Sequence, residues 1–293
     1  MKRVARRGFA RRRGLPLLAP LLALLLIAPA VARAWQGAPP VAPPVAPPAV
    51  PPAAPPVEPP RPTHYMGRKI APFMSYEGGP WLMRATREKE ERASLLLECL
   101  EVQPGQTIAD FGCGNGFYTF PLAKLVGPKG KVYAVDIQPE MLELLAIEAK
   151  RHQVGEVVVP QLCTEKEPQL PPASIDLALL VDVYHELTWP EEVLAGLKRA
   201  LKKDGQIVLV EFRLEDPEVP IKLDHKMSKA QAKKELLHNG FELVREFDEL
   251  PWQHVLFFKA AREAKPTEPP AEKRDEKPAE EPAGGGAARS IPR

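Results

Sequence analysis

The chain has 293 residues, of which 44% are hydrophobic, and a formal net charge of +2. That length holds one well-buried domain plus extensions. Residues 1 to 34 carry eight of the 40 basic residues and none of the 38 acidic ones. The remainder therefore has 32 basic groups against 38 acidic, a charge of −6, which argues against a nucleic-acid substrate held on a basic surface.

Lys2, Arg3, Arg6, Arg7 and Arg11 to Arg13 precede an apolar run from Leu15 to Val31 and a small-x-small exit, Ala32-Arg33-Ala34. This is the layout of a secretory signal, with an uncleaved anchor as the alternative. Pro16, Pro20 and Pro29 make the run a poor transmembrane helix. Within the head, "RRGFAR" loosely resembles a twin-arginine export signal, although Ala10 stands where a leucine is usual. The expected location is exported to the periplasm or anchored at the inner membrane, with membrane association through this segment; a cytoplasmic enzyme is the alternative. Residues 35 to 62 form a linker whose "APPVAPPVAPPAVPPAAPPVEPPRP" has few backbone donors and reads as an extended spacer. Residues 63 to 87 mix aromatics, methionines and arginines. The tail, residues 263 to 293, lacks the apolar side chains needed to offset chain entropy.

Between these extensions, β-rich runs alternate with helical ones. "TIADFG" leads to a helix from about Phe117 to Val126, "KVYAVDI" to "PEMLELLAIEAKRH", and "EVVVPQLC" and "IDLALLVDV" follow. Next come a helix from Pro190 to Leu201, the strand "GQIVLVEF" and the helix "KAQAKKELLHNG". "FELVREFDEL" and "HVLFFKA", separated only by "PWQ", form an antiparallel hairpin. The pattern predicts an α/β, doubly wound, seven-stranded, mostly parallel Rossmann-like sheet with one antiparallel strand near its edge.

In "DFGCGNG" the strand turns sharply into a helix. Gly112, Gly114 and Gly116 leave bare backbone where a ligand can lie, and the helix amino terminus offers amides to an anion. A dinucleotide fingerprint would put its third glycine at Phe117, so the spacing disfavours a pyrophosphate. Twenty residues after Gly116, Asp136 ends the next strand and is placed to hold ribose hydroxyls. Cys99, Cys113 and Cys163 have no ligand-like spacing, so no disulfide framework, zinc site or other metal is expected.

From Glu88 to Lys259 the sequence resembles the class I S-adenosylmethionine-dependent methyltransferases, on "DFGCGNG", "AVDI", "LPPASIDL", "DVYHEL" and "LKKDGQIVLVEF" in that order. Within them it is most similar to the small-molecule branch that includes quinone-pathway C-methyltransferases, and to bacterial proteins with "YMGR", "DVYHE" and "LPWQH" segments. The resemblance implies a methyltransferase domain over residues 88 to 262 with S-adenosylmethionine as cofactor. Asp110 and the backbone of Gly112, Cys113, Gly114, Asn115 and Gly116 would hold its methionine end, and Asp136 its ribose. Ile137 and Met141 would flank the adenine, with Thr164 and Glu165 near its amino group. Asp182 would lie beside the sulfonium. The segment before the first strand would form the lid.

Methyl transfer needs an aligned nucleophile and, for many acceptors, a base. His185 in "DVYHEL" is the first candidate base, with packing beside the cofactor as its other reading; Glu186 is the second candidate. On the acceptor side Tyr184, the turn residues Trp252, Gln253 and His254, and the lid residues Tyr65, Met66, Trp81 and Arg84 are pocket candidates. Arg213, His225 and Lys226 sit in a long connection over the same face and read individually as solvated loop residues. An apolar lid suits a small-molecule or lipid-like acceptor. A protein methyltransferase and a non-catalytic S-adenosylmethionine-binding module are the alternatives.

Overall fold

The structure is a computed structural model that describes residues 60–261. The expected signal, most of the linker and all of the tail lie outside the described residues. No helix among the described residues is long and apolar enough to cross a membrane.

The described chain opens with a small hairpin, β1 (His64–Tyr65) and β2 (Arg68–Lys69). Its two-residue turn, Met66-Gly67, has φ of 46° and 100°, as a hairpin turn matching strand twist requires. Three short helices follow: α1 (Gly79–Leu82), α2 (Arg87–Glu91) and α3 (Ala93–Cys99). The sheet then begins, with β3 (Thr107–Phe111), α4 (Thr119–Val126), β4 (Lys131–Asp136), α5 (Pro139–Arg151), β5 (Val158–Leu162) and β6 (Ile175–Val181). It is completed by α6 (Pro190–Ala200), β7 (Leu201–Phe212), α7 (Lys229–His238), β8 (Phe241–Phe247) and β9 (Gln253–Ala260).

The seven main strands run β5-β4-β3-β6-β7-β9-β8, all parallel except β9, which is antiparallel to both neighbours. The chain enters at β3, winds outward to β5, then crosses back to β6 and winds the other way. The carboxyl ends of β3 and β6 therefore flank a topological switch point, where open α/β sheets bind ligands. Successive residues of the central strands face opposite layers. Leu179, Val208 and Phe257 join a core beneath α3, α4 and α5, while Leu180, Leu209 and Phe258 join a second core beneath α6 and α7. Burial on both faces explains why β6 is a nearly unbroken apolar run. Helix α6 starts with Pro190, carries Glu191 and Glu192 in its first turn and Lys198 and Arg199 in its last, and buries Val193, Leu194, Leu197 and Ala200 on one face.

Two boundaries differ from those the sequence predicts. Strand β7 starts at Leu201, directly after α6, because Leu201 pairs with Ile175 before a register shift returns Gln206 to pair with Leu177. The β8–β9 connection spans residues 248–252 rather than "PWQ", and the side chain of Arg213 staples it by donating to the carbonyls of Asp248, Leu250 and Pro251.

Candidate functional site

A cavity of about 530 Å³ opens at the carboxyl ends of β3, β4, β6 and β7. Of the residues expected to hold a cofactor, Gly112, Gly114, Asp136, Ile137, Met141, Thr164, Glu165 and Asp182 line it, as does His185.

The glycine loop works differently from an anion cradle. The amides of Gly112 and Cys113 both donate to the Val135 carbonyl, that of Gly114 to Asp136 Oδ2 at 2.9 Å, and that of Gly116 to the Cys113 carbonyl. These four donors are taken, so the three glycines offer bare Cα surface rather than free N–H groups. Gly112 lies at φ +73°, and a Cβ there would stand 2.4 Å from Val183 Cγ2 on the cavity wall. Gly116 does not line the cavity; its missing Cβ makes room for the Phe120 ring, 2.5 Å from where that atom would be. The third glycine therefore seats the first turn of α4 rather than a ligand.

Asp136 has each carboxylate oxygen held by a backbone amide, Oδ2 by Gly114 and Oδ1 by Gln138 at 2.9 Å. An ionised carboxylate accepts about four bonds, so lone pairs remain for hydroxyls in the cavity. Burial raises its pKa, and the amide bonds counter part of that shift. Asp110 departs from its expected place. It lies behind the loop, off the cavity, with Oδ2 accepting from Thr119 Oγ1 at 2.5 Å. Burial, helped by the charge of Asp136 and opposed by the Thr119 bond and Arg87, pushes its pKa up to about 6. Cys113 is also buried off the cavity, and burial pushes its thiol up. Asn115 Nδ2 reaches back to the Gly79 carbonyl at 3.0 Å, so it ties the N-terminal segment to the loop instead of lining the cavity.

That segment supplies Phe73, Met74, Trp81 and Leu82 to the cavity wall. Gln138 holds it from the other side, donating to the Met74 carbonyl at 2.9 Å and accepting from the Tyr76 amide at 2.8 Å. Arg84, expected in the pocket, is behind Trp81: its guanidinium stacks 3.7 Å from the indole and pairs with Glu90 and Glu91. Tyr65 is also elsewhere, its hydroxyl accepting from Asn239 at the end of α7. Met66 is in the hairpin turn, where its carbonyl accepts from Lys234.

The opposite end is polar. Asp182, at φ 55°, has Oδ2 accepting from Gln253 Nε2 at 2.8 Å, while its buried Oδ1 has no partner. Burial and the charges of Glu91 and Glu211 hold its pKa well above the usual carboxylate range. His185 Nδ1 stands 2.6 Å from Oε2 of Glu211, whose other oxygen accepts from the Tyr184 amide at 3.0 Å. Its Nε2 stands 3.1 Å from His225 Nδ1. Burial alone would lower the pKa of His185, but the charge and hydrogen bond of Glu211, with Glu186 and Asp182, raise it overall. Burial and the charge of His185 lower that of His225. Burial pushes Glu186 up to about 7. Arg68 braces this turn from below, donating to the carbonyls of Tyr184 and His185 while forking onto Glu235.

Other acceptor-side expectations are corrected. Tyr184 is fully buried in the core beneath α6 and α7, off the cavity. The β8–β9 turn does lie at the cavity end of the sheet, since Gln253 pairs with Phe212. Yet Gln253 stands behind Asp182, and Trp252 engages Arg213 through its carbonyl. His254 is 0% exposed with neither nitrogen partnered, and burial lowers its pKa. None of the three lines the cavity: Gln253 and His254 begin β9, an interior strand, and Trp252 is in the connection before it. Lys226 is buried on the Asp216 carbonyl, whereas His225, read as a solvated loop residue, lines the cavity. Glu211 is the principal residue the sequence reading passed over; its signal is a lone acid inside the apolar run "IVLVEF".

The family described as "Methyltransferase domain" matches residues 103–265. The chain is 34% identical over 120 residues to nocamycin O-methyltransferase of Saccharothrix syringae, covering 40% of this chain and 41% of that one. It is 30% identical over 112 residues to the ubiquinone/menaquinone biosynthesis C-methyltransferase UbiE of Cupriavidus metallidurans, covering 38% and 45%. It thus spans less than half the length of these curated relatives. Among solved structures, a SAM-dependent methyltransferase from Aquifex aeolicus has the same fold, with a TM-score of 0.61 at 23% identity over 64% of this chain and 100% of that one.

Proposed function

The chain belongs to the methyltransferase-domain family, and from that premise we propose that it is an S-adenosylmethionine-dependent methyltransferase acting on a small or lipophilic acceptor. The observation that carries the reading is Asp136, fixed by two backbone amides with lone pairs free beside the bare surface of Gly112 and Gly114. Such a site can take a ribose on Asp136 and lay the methionine end of the cofactor against the glycines. Asp182 lines the same cavity with an unpartnered Oδ1, and the approach of the cofactor's sulfonium would favour the charged form of its carboxyl. When bound, S-adenosylmethionine supplies an activated methyl group, so the residues of the chain have only to align an acceptor in line with it and keep water out.

The walls suit that task. Phe73, Met74, Trp81 and Leu82 close one side with apolar surface, and Val183, Phe212 and Ile221 continue it. A cavity of this size and lining favours a small or lipid-like acceptor over a folded protein. At the polar end, His185, Glu186 and His225 form the place where an acceptor's nucleophilic atom is oriented and its proton released. We also assign residues 1 to 34 the role of carrying the domain to the inner membrane or across it, with the proline tract as spacer. Titration calorimetry of the full chain tests the cofactor: S-adenosylmethionine should bind at micromolar affinity, about −8 kcal/mol, and NAD should not bind. Tight NAD binding would overturn the reading.

A further inference from the structure

We propose that His185, Glu186 and His225 form a binding site for a divalent first-row transition cation at the acceptor end of the cavity. Their ligand atoms all lie within 4.8 Å of one another. All three residues line the cavity.

The distances suit one ion. Two imidazole nitrogens bound to the same cation at about 2.0–2.1 Å stand about 2.9–3.4 Å apart across octahedral to tetrahedral angles. His185 Nε2 and His225 Nδ1 are 3.1 Å apart. Glu186 Oε1 is 3.6 Å from His225 Nδ1 and 3.9 Å from His185 Nε2, which a small side-chain rotation brings to bonding distance.

The surroundings prepare His185 for this role. Glu211 is completely buried and locked by the Tyr184 amide, and it takes the Nδ1 proton of His185 in a 2.6 Å hydrogen bond. That fixes the tautomer with the lone pair on Nε2, facing the cavity, as carboxylate–histidine–metal arrangements do. Arg68 holds the backbone of the same turn through the carbonyls of Tyr184 and His185.

The plainer account, an N–H···N bond between the two imidazoles, explains their separation but leaves Glu186 without a role. Its side chain is only 16% exposed, and no hydrogen-bond donor reaches it among the described residues. A cation satisfies all three groups at once. Two histidines and one carboxylate on one side of an ion leave its remaining positions open toward the cavity. There a donor atom of the acceptor would complete the shell next to the transfer point; with the Nε2 lone pair held by the cation, the acceptor's proton, made more acidic by the cation, would leave to solvent rather than to His185.

The function of this site rests on the methyltransferase reading, but its existence can be tested alone. The untagged full chain, stripped with a chelator, is titrated with Co²⁺ and followed by visible absorption. One equivalent should bind with a micromolar or lower Kd. His225→Ala should weaken binding at least 30-fold, and His238→Ala, an exposed histidine on α7, should leave it unchanged. Near-UV circular dichroism checks that the variants fold; should His225→Ala unfold, Glu186→Gln gives the same readout with a loss of at least 10-fold. Substoichiometric binding, or unchanged affinity in the folded site variants, overturns the proposal. S-adenosylmethionine is titrated in parallel. Co²⁺ binding without cofactor binding would remove the methyltransferase reading and keep the cation site, and the reverse result would remove the site alone.

Discussion

Replacing Asp136 by alanine tests the cofactor half of the site most directly. In the wild type both carboxylate oxygens are positioned by backbone amides at 2.9 Å, one from each side of the loop. The side chain therefore needs no reorganisation to receive two ribose hydroxyls. Hydrogen bonds to a charged acceptor contribute about 1.5–3 kcal/mol. Because water competes for the same hydroxyls in the free cofactor, we take that range for the pair together rather than for each bond. The dissociation constant for S-adenosylmethionine should then rise by about 10- to 150-fold. The variant also strips the Gly114 and Gln138 amides of their acceptor, at about 1–3 kcal/mol for each group left buried, so the fold must be checked by thermal melting before affinity is compared. Asp136→Asn is the milder partner: it keeps one accepting oxygen but turns an NH₂ toward one of the two backbone donors. Calorimetry on the full chain at pH 8, with S-adenosylmethionine and its demethylated product, gives the result. A folded Asp136→Ala protein that binds within twofold of wild type would refute the assignment.

Three further outcomes follow from the same geometry and sequence. Gly112→Ala places a Cβ 2.4 Å from Val183 Cγ2 at φ +73°, and urea unfolding should show a loss of about 2–5 kcal/mol from backbone strain and overpacking together; a loss under 1 kcal/mol would mean the loop relaxes freely. The carboxyl of Asp110 is raised from 3.8 to about 6 by burial, so its contribution to stability is full below about pH 4 and is lost as pH rises through 6; relative to wild type, Asp110→Asn should gain about 3 kcal/mol across that window, and parallel pH–stability curves would refute this. A reporter active only in the oxidising compartment, fused after Pro62 and separately after Lys259, should give signal in both fusions if residues 1 to 34 direct export; silence from both, with the intact chain soluble in the cytoplasm, would refute the targeting assignment.

The half of the cavity that the sequence reveals is the half encoded in short contiguous spans. Asp136 and the Gly112–Gly114 stretch sit at the ends of adjacent parallel strands, where a fixed strand–turn–helix geometry converts spacing directly into position. The acceptor end is assembled from four separated places: β2 with Arg68, the turn with His185 and Glu186, the end of β7 with Glu211, and the connection with His225. Only the crossover of β6 and β7 brings them together, and no local pattern announces it. Interior polar residues are ambiguous in sequence for a second reason. Gln253 and His254 look like binding groups in a turn, but they begin a strand covered by β7 on one side and β8 on the other. Nor could spacing show that the third glycine faces Phe120.

The N-terminal segment connects the two halves, and its attachments determine which part of it can move. Arg68 anchors the hairpin at one end through Glu235 and the 184–186 turn, with the ion pair to Glu235 almost entirely out of solvent. At the other end Arg87 is buried against Glu91 and donates to the Leu82 carbonyl. Breaking one partner from a buried ion pair costs about 3–5 kcal/mol, so neither anchor is free to lift. Between them, the stretch from Phe73 to Leu82 is held to the cofactor loops by the two hydrogen bonds of Gln138 and the one of Asn115. At about 1 kcal/mol net for each bond, the polar part of that attachment is worth roughly 3 kcal/mol, the lower end of the range for an anchor. Movement of this stretch would have to break these three bonds and part Met74 and Leu82 from the cavity wall. Because the same stretch carries Phe73, Met74 and Trp81, any such movement would also open the apolar wall of the cavity.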